Sequence, residues 1–281
     1  MDKNYSDKEI FAIVRLMQTE DEGNCVVLKK QLSHIIKKQP TDFKNVISKE
    51  FRASKPAFLQ TVLEDIYLQD LKYAFTQFSI KQNPNLEEGV ALISKIITPS
   101  ISKDHVKNII DKFSEELSDS LTEKSEPEDI CKMLTQGIFS ILGFDIKVKD
   151  LTAQDIYFDK FLVNKTGGVF NIACLYVMLA KRFGIKLEIL DLHGKLLLEC
   201  DDINFKTNCY IDPLDYGTIS SERSLKTYLM KRDINLKLQD IKHFNTRQIV
   251  KRILGNLIYV YNRQNPTANR LNFIRECFEV L

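Results

Sequence analysis

The segment FNIACLYVMLAKRFG, which follows Thr166-Gly167-Gly168, constrains the fold more than any other part of this chain. It is apolar on almost every face until Lys181. A helix without a polar stripe cannot lie on a surface, so this one is expected at the centre of a domain. Gly184 is placed to end it. Directly after it come IKLEILDL, KLLLEC and NCYIDPL, three short strand candidates separated by turn signals. One buried helix followed by consecutive strands predicts an α+β domain with a small antiparallel sheet packed on that helix.

The flanks read as helix. Residues 1–80 carry stripes at helical spacing: Ile10, Phe11, Val14 and Met17, then Leu28, Leu32, Ile35 and Ile36. Thr41 is a candidate N-cap for a helix burying Phe43, Val46 and Ile47. Ser54-Lys55-Pro56 opens a further helix burying Leu59, Val62, Leu63 and Ile66. Such pairs suggest a HEAT-like segment. Asn83-Pro84-Asn85 marks a change of segment, and residues 84–240 form the expected central domain. Within it, Ser125-Glu126-Pro127-Glu128 has the form of a capping box before a helix burying Ile130, Met133, Leu134, Ile138 and Ile141 and stopping at Gly143. Residues 245–281 return to helix, with Val250, Ile253, Leu254, Leu257 and Tyr261 on one stripe and Leu271, Ile274, Phe278 and Leu281 on another. Asn265-Pro266 turns the chain between them, giving a tetratricopeptide-like helical hairpin.

Composition narrows the function classes. Forty Lys and Arg against 38 Asp and Glu leave a formal charge of +2, too even to predict a nucleic-acid partner. No apolar run approaches the ~20 residues that a membrane helix needs, and the N-terminal residues lack the pattern of a secretion signal. The six cysteines occur singly, without a CxxC pair, and are expected as reduced thiols in a cytoplasmic protein. The four histidines show no HxxxH or HExxH spacing, so neither a metal site nor another cofactor is predicted.

The order NLEEGVALISKIITPSIS, ILGF, FLVNKTGGVFNIACLYVMLAKRFGIKLEIL, LHGKLLLE and YIDPLDYG resembles the bacterial SirB family of the transglutaminase-like superfamily, whose fold is shared with papain-type thiol enzymes. The likeness runs over residues 84–281. In active members, a cysteine at the first turn of the central helix has its thiol pKa lowered by the helix N-terminus. A histidine on the second strand moves the proton, and an aspartate on the third orients the imidazole. Carried onto this chain, the cysteine position falls on Val169, the histidine position on Lys195 and the aspartate on Asp212. Valine cannot be a nucleophile, and a lysine is ordinarily protonated, with a reference pKa of ~10.4. A Lys195–Asp212 ion pair is expected in place of the His–Asp contact.

The resemblance therefore implies a pseudoenzyme: a protein-interaction or regulatory protein with a protein or peptide partner, in which Gly167, Gly168, Lys195 and Asp212 line a binding cleft. The alternative is a thiol-dependent amide hydrolase or acyl-transferase with a rearranged site, drawing on Cys174, Cys200 or Cys209 with His193 and Asp212. As plain structure, Cys174 is a small core residue, and Cys200 and Cys209 are packing residues on adjacent strands. Gly167-Gly168 is explained by a tight turn against the helix, since neither phosphate-cradling glycine motif is present.

Overall fold

A computed structural model describes residues 4–17, 22–50, 57–119, 126–192, 195–200, 209–231, 243–264 and 268–281. The chain divides into two compact units, Met1–Tyr73 and Ala74–Leu281.

The first unit is helical: α1 (Asp7–Leu16), α2 (Glu22–Lys38), α3 (Pro40–Glu50) and the greater part of α4 (Ala57–Ile80). Its start is set locally. Ser6 caps α1, and Glu9 reaches back to the Ser6 backbone, completing a capping box. The expected stripes bury as one cluster that includes Ile10, Val14, Leu32, Ile35, Val46, Leu59 and Ile66. Phe11, Leu28, Ile36 and Leu63 are only partly buried at its edge. Thr41 is not the cap of α3. That helix begins at Pro40, whose fixed φ suits the first helical position and places Thr41 inside the first turn. The predicted opening at Ser54-Lys55-Pro56 lies outside the described residues.

The second unit is built around the predicted central helix, α9 (Val169–Arg182). Nine of its residues are buried, among them Ile172, Cys174, Tyr176 and Leu179. Helices α5 (Leu86–Lys95), α6 (Lys103–Ser118) and α7 (Pro127–Gln136) pack on it, and so do strands of the sheet. Asn85 and Ser102 cap α5 and α6, each accepting a bond from a first-turn N–H. α7 starts at Pro127 after Glu126, which makes no side-chain cap bond; Ser125 lies outside the described residues. A π-turn over Gly137–Ile141 follows α7. The extra residue per turn rotates the apolar stripe, so Ile138 is buried while Ile141 is 44% exposed, against expectation. Gly143, with φ +69°, ends the segment as predicted.

The sheet is an antiparallel meander, β3 (Leu187–Leu192), β4 (Lys195–Cys200), β5 (Cys209–Asp212) and β6 (Thr218–Ser221). The three predicted strands are present. The fourth, TISS, is polar and sits at the edge, so it gives no apolar alternation to read. Also unanticipated is a two-residue parallel pair, β1 (Asp145–Ile146) with β2 (Thr166–Gly167), which fixes the approach of the chain to α9. Between these strands lies the short α8 (Phe158–Asn164). After the sheet come α10 (Glu222–Lys231) and the C-terminal hairpin of α11 (Thr246–Gln264) and α12 (Ala268–Glu279). α11 packs on α5, so the hairpin belongs to this unit's core. The turn predicted at Asn265-Pro266 lies outside the described residues. Among the described residues, no helix is long and apolar enough to cross a membrane.

Candidate functional site

Gly168 is the N-cap of α9, and Val169 is its first helical residue. The valine thus stands where unpaired N–H groups would activate a thiol, and it offers none. The glycines have separate reasons. A Cβ on Gly167 would lie 2.6 Å from Phe161 and 3.1 Å from the Asp155 carbonyl oxygen, so close packing demands glycine there. Gly168 donates its N–H to Asp155 O at 3.0 Å, and Asn171, 2% exposed, donates Nδ2–H to the same oxygen at 3.2 Å. This carbonyl thereby anchors the first turn of α9.

A cavity of about 820 Å³ opens at this helix start. Gly168, Val169 and Asn171 line one side, with Lys149, Asn256 and Arg263 around the rest. Neither Lys195 nor Asp212 reaches it among the described residues.

Lys195 and Asp212 form the expected ion pair, Nζ to Oδ2 at 2.7 Å. The other carboxylate oxygen, Oδ1, accepts the backbone N–H groups of Leu214 and Asp215 at 3.0 and 3.3 Å. Asp212 thus caps the short 3₁₀ turn Pro213–Asp215. One of its oxygens therefore holds the β5–β6 connection and the other ties β5 to the start of β4.

Strand alternation separates the remaining candidates. Leu198 pairs with Ile211 and Cys200 with Cys209, so these side chains share one face of the sheet. Lys195, Leu197 and Glu199 point to the other. On that second face, Tyr210 donates to Glu199 Oε1 at 2.7 Å, and His243 Nε2 contacts Glu199 Oε2. Leu190, Leu192, Leu197 and Tyr210 bury there with Leu225 of α10. His243 arrives because residue 243 makes an isolated bridge with Leu190 and the Phe244 N–H donates to Ile189 O at 2.7 Å. No local spacing links it to a glutamate 44 positions away, so the sequence does not mark the pair.

The first face carries a cluster that the sequence also concealed. Cys131 of α7 meets Cys200 and Cys209, and all three sulfur atoms lie within 4.8 Å of one another. Cys131 and Cys209 are 3.8 Å apart at Sγ. Hydrogen bonds from Cys131 and then Cys200 hold the Cys209 thiol low, while bonding to Cys200 and Cys209 pushes Cys131 up. Cys200 and Cys209 thus pair across adjacent strands, as expected, with a third thiol from α7 beside them. Cys174 is apart from them, fully buried in α9, and burial alone raises its thiol to about 12. His193 lies outside the described residues.

The family comparison agrees with this architecture. The profile of the transglutaminase-like superfamily matches residues 104–255, over half the chain, and the protein belongs to that superfamily. No curated protein matched in sequence. Among solved structures, the chain is similar to a crystal structure of menin described as revealing the binding site for the Mixed Lineage Leukemia (MLL) protein. The two are 13% identical, with a TM-score of 0.39 over 76% of this chain. The match spans 61% of the menin chain. At that score the two share too little for fold or function to be transferred.

Proposed function

We propose that this protein is a non-catalytic binding module of the SirB type, in which the cleft at the start of α9 receives a peptide segment of a protein partner. What supports this reading is the chemistry of the residues at the positions where the family resemblance places a nucleophile, base and aspartate. Val169 stands at the nucleophile position, and Lys195 and Asp212 are joined at 2.7 Å on a sheet face whose other groups are structural. The clustered thiols project from the opposite face to His243 and Asp212, so among the described residues they have no imidazole to serve as base. The cavity beside Val169 retains what binding needs: a concave wall, the cations Lys149 and Arg263, and first-turn N–H groups that favour an acidic side chain. The helical hairpin of α11 and α12 would extend the surface as a tetratricopeptide-like element.

The test is to pan a displayed peptide library on the full chain and on Val169→Trp, which puts a bulky ring into the cavity at the start of α9. Enriched peptides should bind the native chain at least ten-fold tighter than this variant and be recovered intact after long incubation. Thiol-dependent cleavage or acyl transfer of those peptides would establish instead the rearranged amide hydrolase or acyl-transferase. Binding indifferent to Val169→Trp would remove the cavity from the function.

A further inference from the structure

Cys131, Cys200 and Cys209 come from three elements. Cys131 lies in α7, Cys200 ends β4 and Cys209 begins β5. The first two are 0% and 4% exposed, and Cys209 is half-buried. Chance packing of small thiols explains two neighbours across a ladder. It does not readily explain a third arriving from a helix 78 residues earlier with its sulfur aimed at the same point.

The separation is informative. A tetrahedral zinc site with Zn–S bonds of about 2.3 Å has sulfur atoms about 3.8 Å apart. Cys131 and Cys209 stand at 3.8 Å, and the third sulfur lies within 4.8 Å of both. A disulfide would need sulfurs at about 2.05 Å, and all six cysteines of the chain are free thiols. Soft thiolate donors select zinc and similar thiophilic ions over calcium or magnesium.

We propose that Cys131, Cys200 and Cys209 form a binding site for a thiophilic divalent cation, with zinc as its ligand. On binding, three thiols lose their protons to solvent, and three metal–sulfur bonds replace bonds to the ion's own hydration waters, of which one is kept at the fourth tetrahedral position. The ion joins α7 to the β4–β5 pair. It thereby fixes β5, the strand that ends in Asp212. The site is independent of the peptide cleft, since none of its residues lines that cavity.

Cobalt(II) is the probe. The full chain, stripped with chelator and kept under a phosphine reductant, is titrated with cobalt and then with zinc. One equivalent should produce sulfur-to-cobalt charge-transfer absorption and intense tetrahedral d–d bands, and zinc should bleach both. Cys200→Ser and Cys209→Ser should each weaken binding at least ten-fold, while Cys174→Ala should bind as the native chain does. Should the serine variants misfold, alkylation of the native chain decides. Zinc should protect Cys209, the half-buried member of the trio, but not Cys25, and chelator should restore its labelling. A weak octahedral cobalt spectrum, or equal labelling with and without zinc, overturns the proposal.

Discussion

Arg182, at the last turn of α9, ties together two helices through two acids: its Nη2 donates to Asp111 Oδ1 of α6 at 2.9 Å, and its Nη1 to Glu87 Oε1 of α5. Nε also donates to Asp111, at 3.0 Å. Glu87 is 6% exposed, so its carboxylate depends on this guanidinium for the loss of water. Arg182→Met would leave that charge buried and uncompensated, and should destabilise the second unit by about 3 kcal/mol. Adding Glu87→Gln should recover part of the loss, because the stranded charge is removed. Urea midpoints of the two variants against the native chain measure both quantities. Equal stability of the single variant and the native chain would show that Glu87 is hydrated after all.

The Lys195–Asp212 pair is more exposed, with side chains 31% and 12% accessible, so solvent screens part of its attraction. Asp212 also keeps two backbone N–H bonds when the lysine is lost. Lys195→Met is therefore expected to cost only about 1–2 kcal/mol. Lys195→His places an imidazole beside the aspartate, yet it should confer no amidase activity on a model thiol-protease substrate, since Val169 supplies no nucleophile. Thermal unfolding and a chromogenic amide assay report the two outcomes, and amide turnover by the native chain or the histidine variant would contradict the pseudoenzyme reading.

How far the sequence could be read depended on the range over which each feature is specified. α9 and strands β3 to β5 were legible because continuous burial and turn residues are local signals. The Lys195–Asp212 pair was legible through family resemblance, which supplies a long-range alignment. Nothing local marks Cys131 as the partner of Cys200 and Cys209, or Glu199 as the partner of His243, because only the folded topology joins them. β6 escaped for another reason: Thr218 and Ser221 are exposed at a sheet edge, so no buried side chain writes the strand into the sequence. Ile141 misled because the spacing argument assumes an α-helical turn where the chain makes a π-turn.

Gly217 combines two demands. Its φ is +76°, in the left-handed region, and a Cβ there would lie 2.3 Å from the Tyr176 hydroxyl and 2.6 Å from Thr135. Gly143 shares the first demand, with φ +69°, but has open space around it. Gly143→Ala should accordingly cost about 1 kcal/mol from backbone strain alone. Gly217→Ala should cost roughly 2–4 kcal/mol, as crowding adds to that strain. Melting temperatures of the two variants separate the contributions. If the two substitutions cost the same, the Tyr176–Thr135 contact yields freely and the packing argument fails.

Alkaline pH should unfold the protein through its buried phenols. Tyr157 is 0% exposed, its hydroxyl 3.1 Å from that of Tyr261, and burial pushes its ionisation well above the ordinary range. Burial does the same to Tyr176, and raises Tyr67 of the first unit to about 12. In the unfolded chain all of these ionise near ~10. Between that pH and the higher folded values the unfolded state binds fewer protons than the native one, so stability falls as pH rises. It is fully present below ~10. Ten tyrosines and no tryptophan make ultraviolet tyrosinate absorbance a direct count. The exposed phenols should titrate first with helical circular dichroism unchanged. The buried ones should ionise only together with its collapse. A single phase near ~10 for all ten, with dichroism intact, would mean that water reaches Tyr157 and Tyr176 in the native fold.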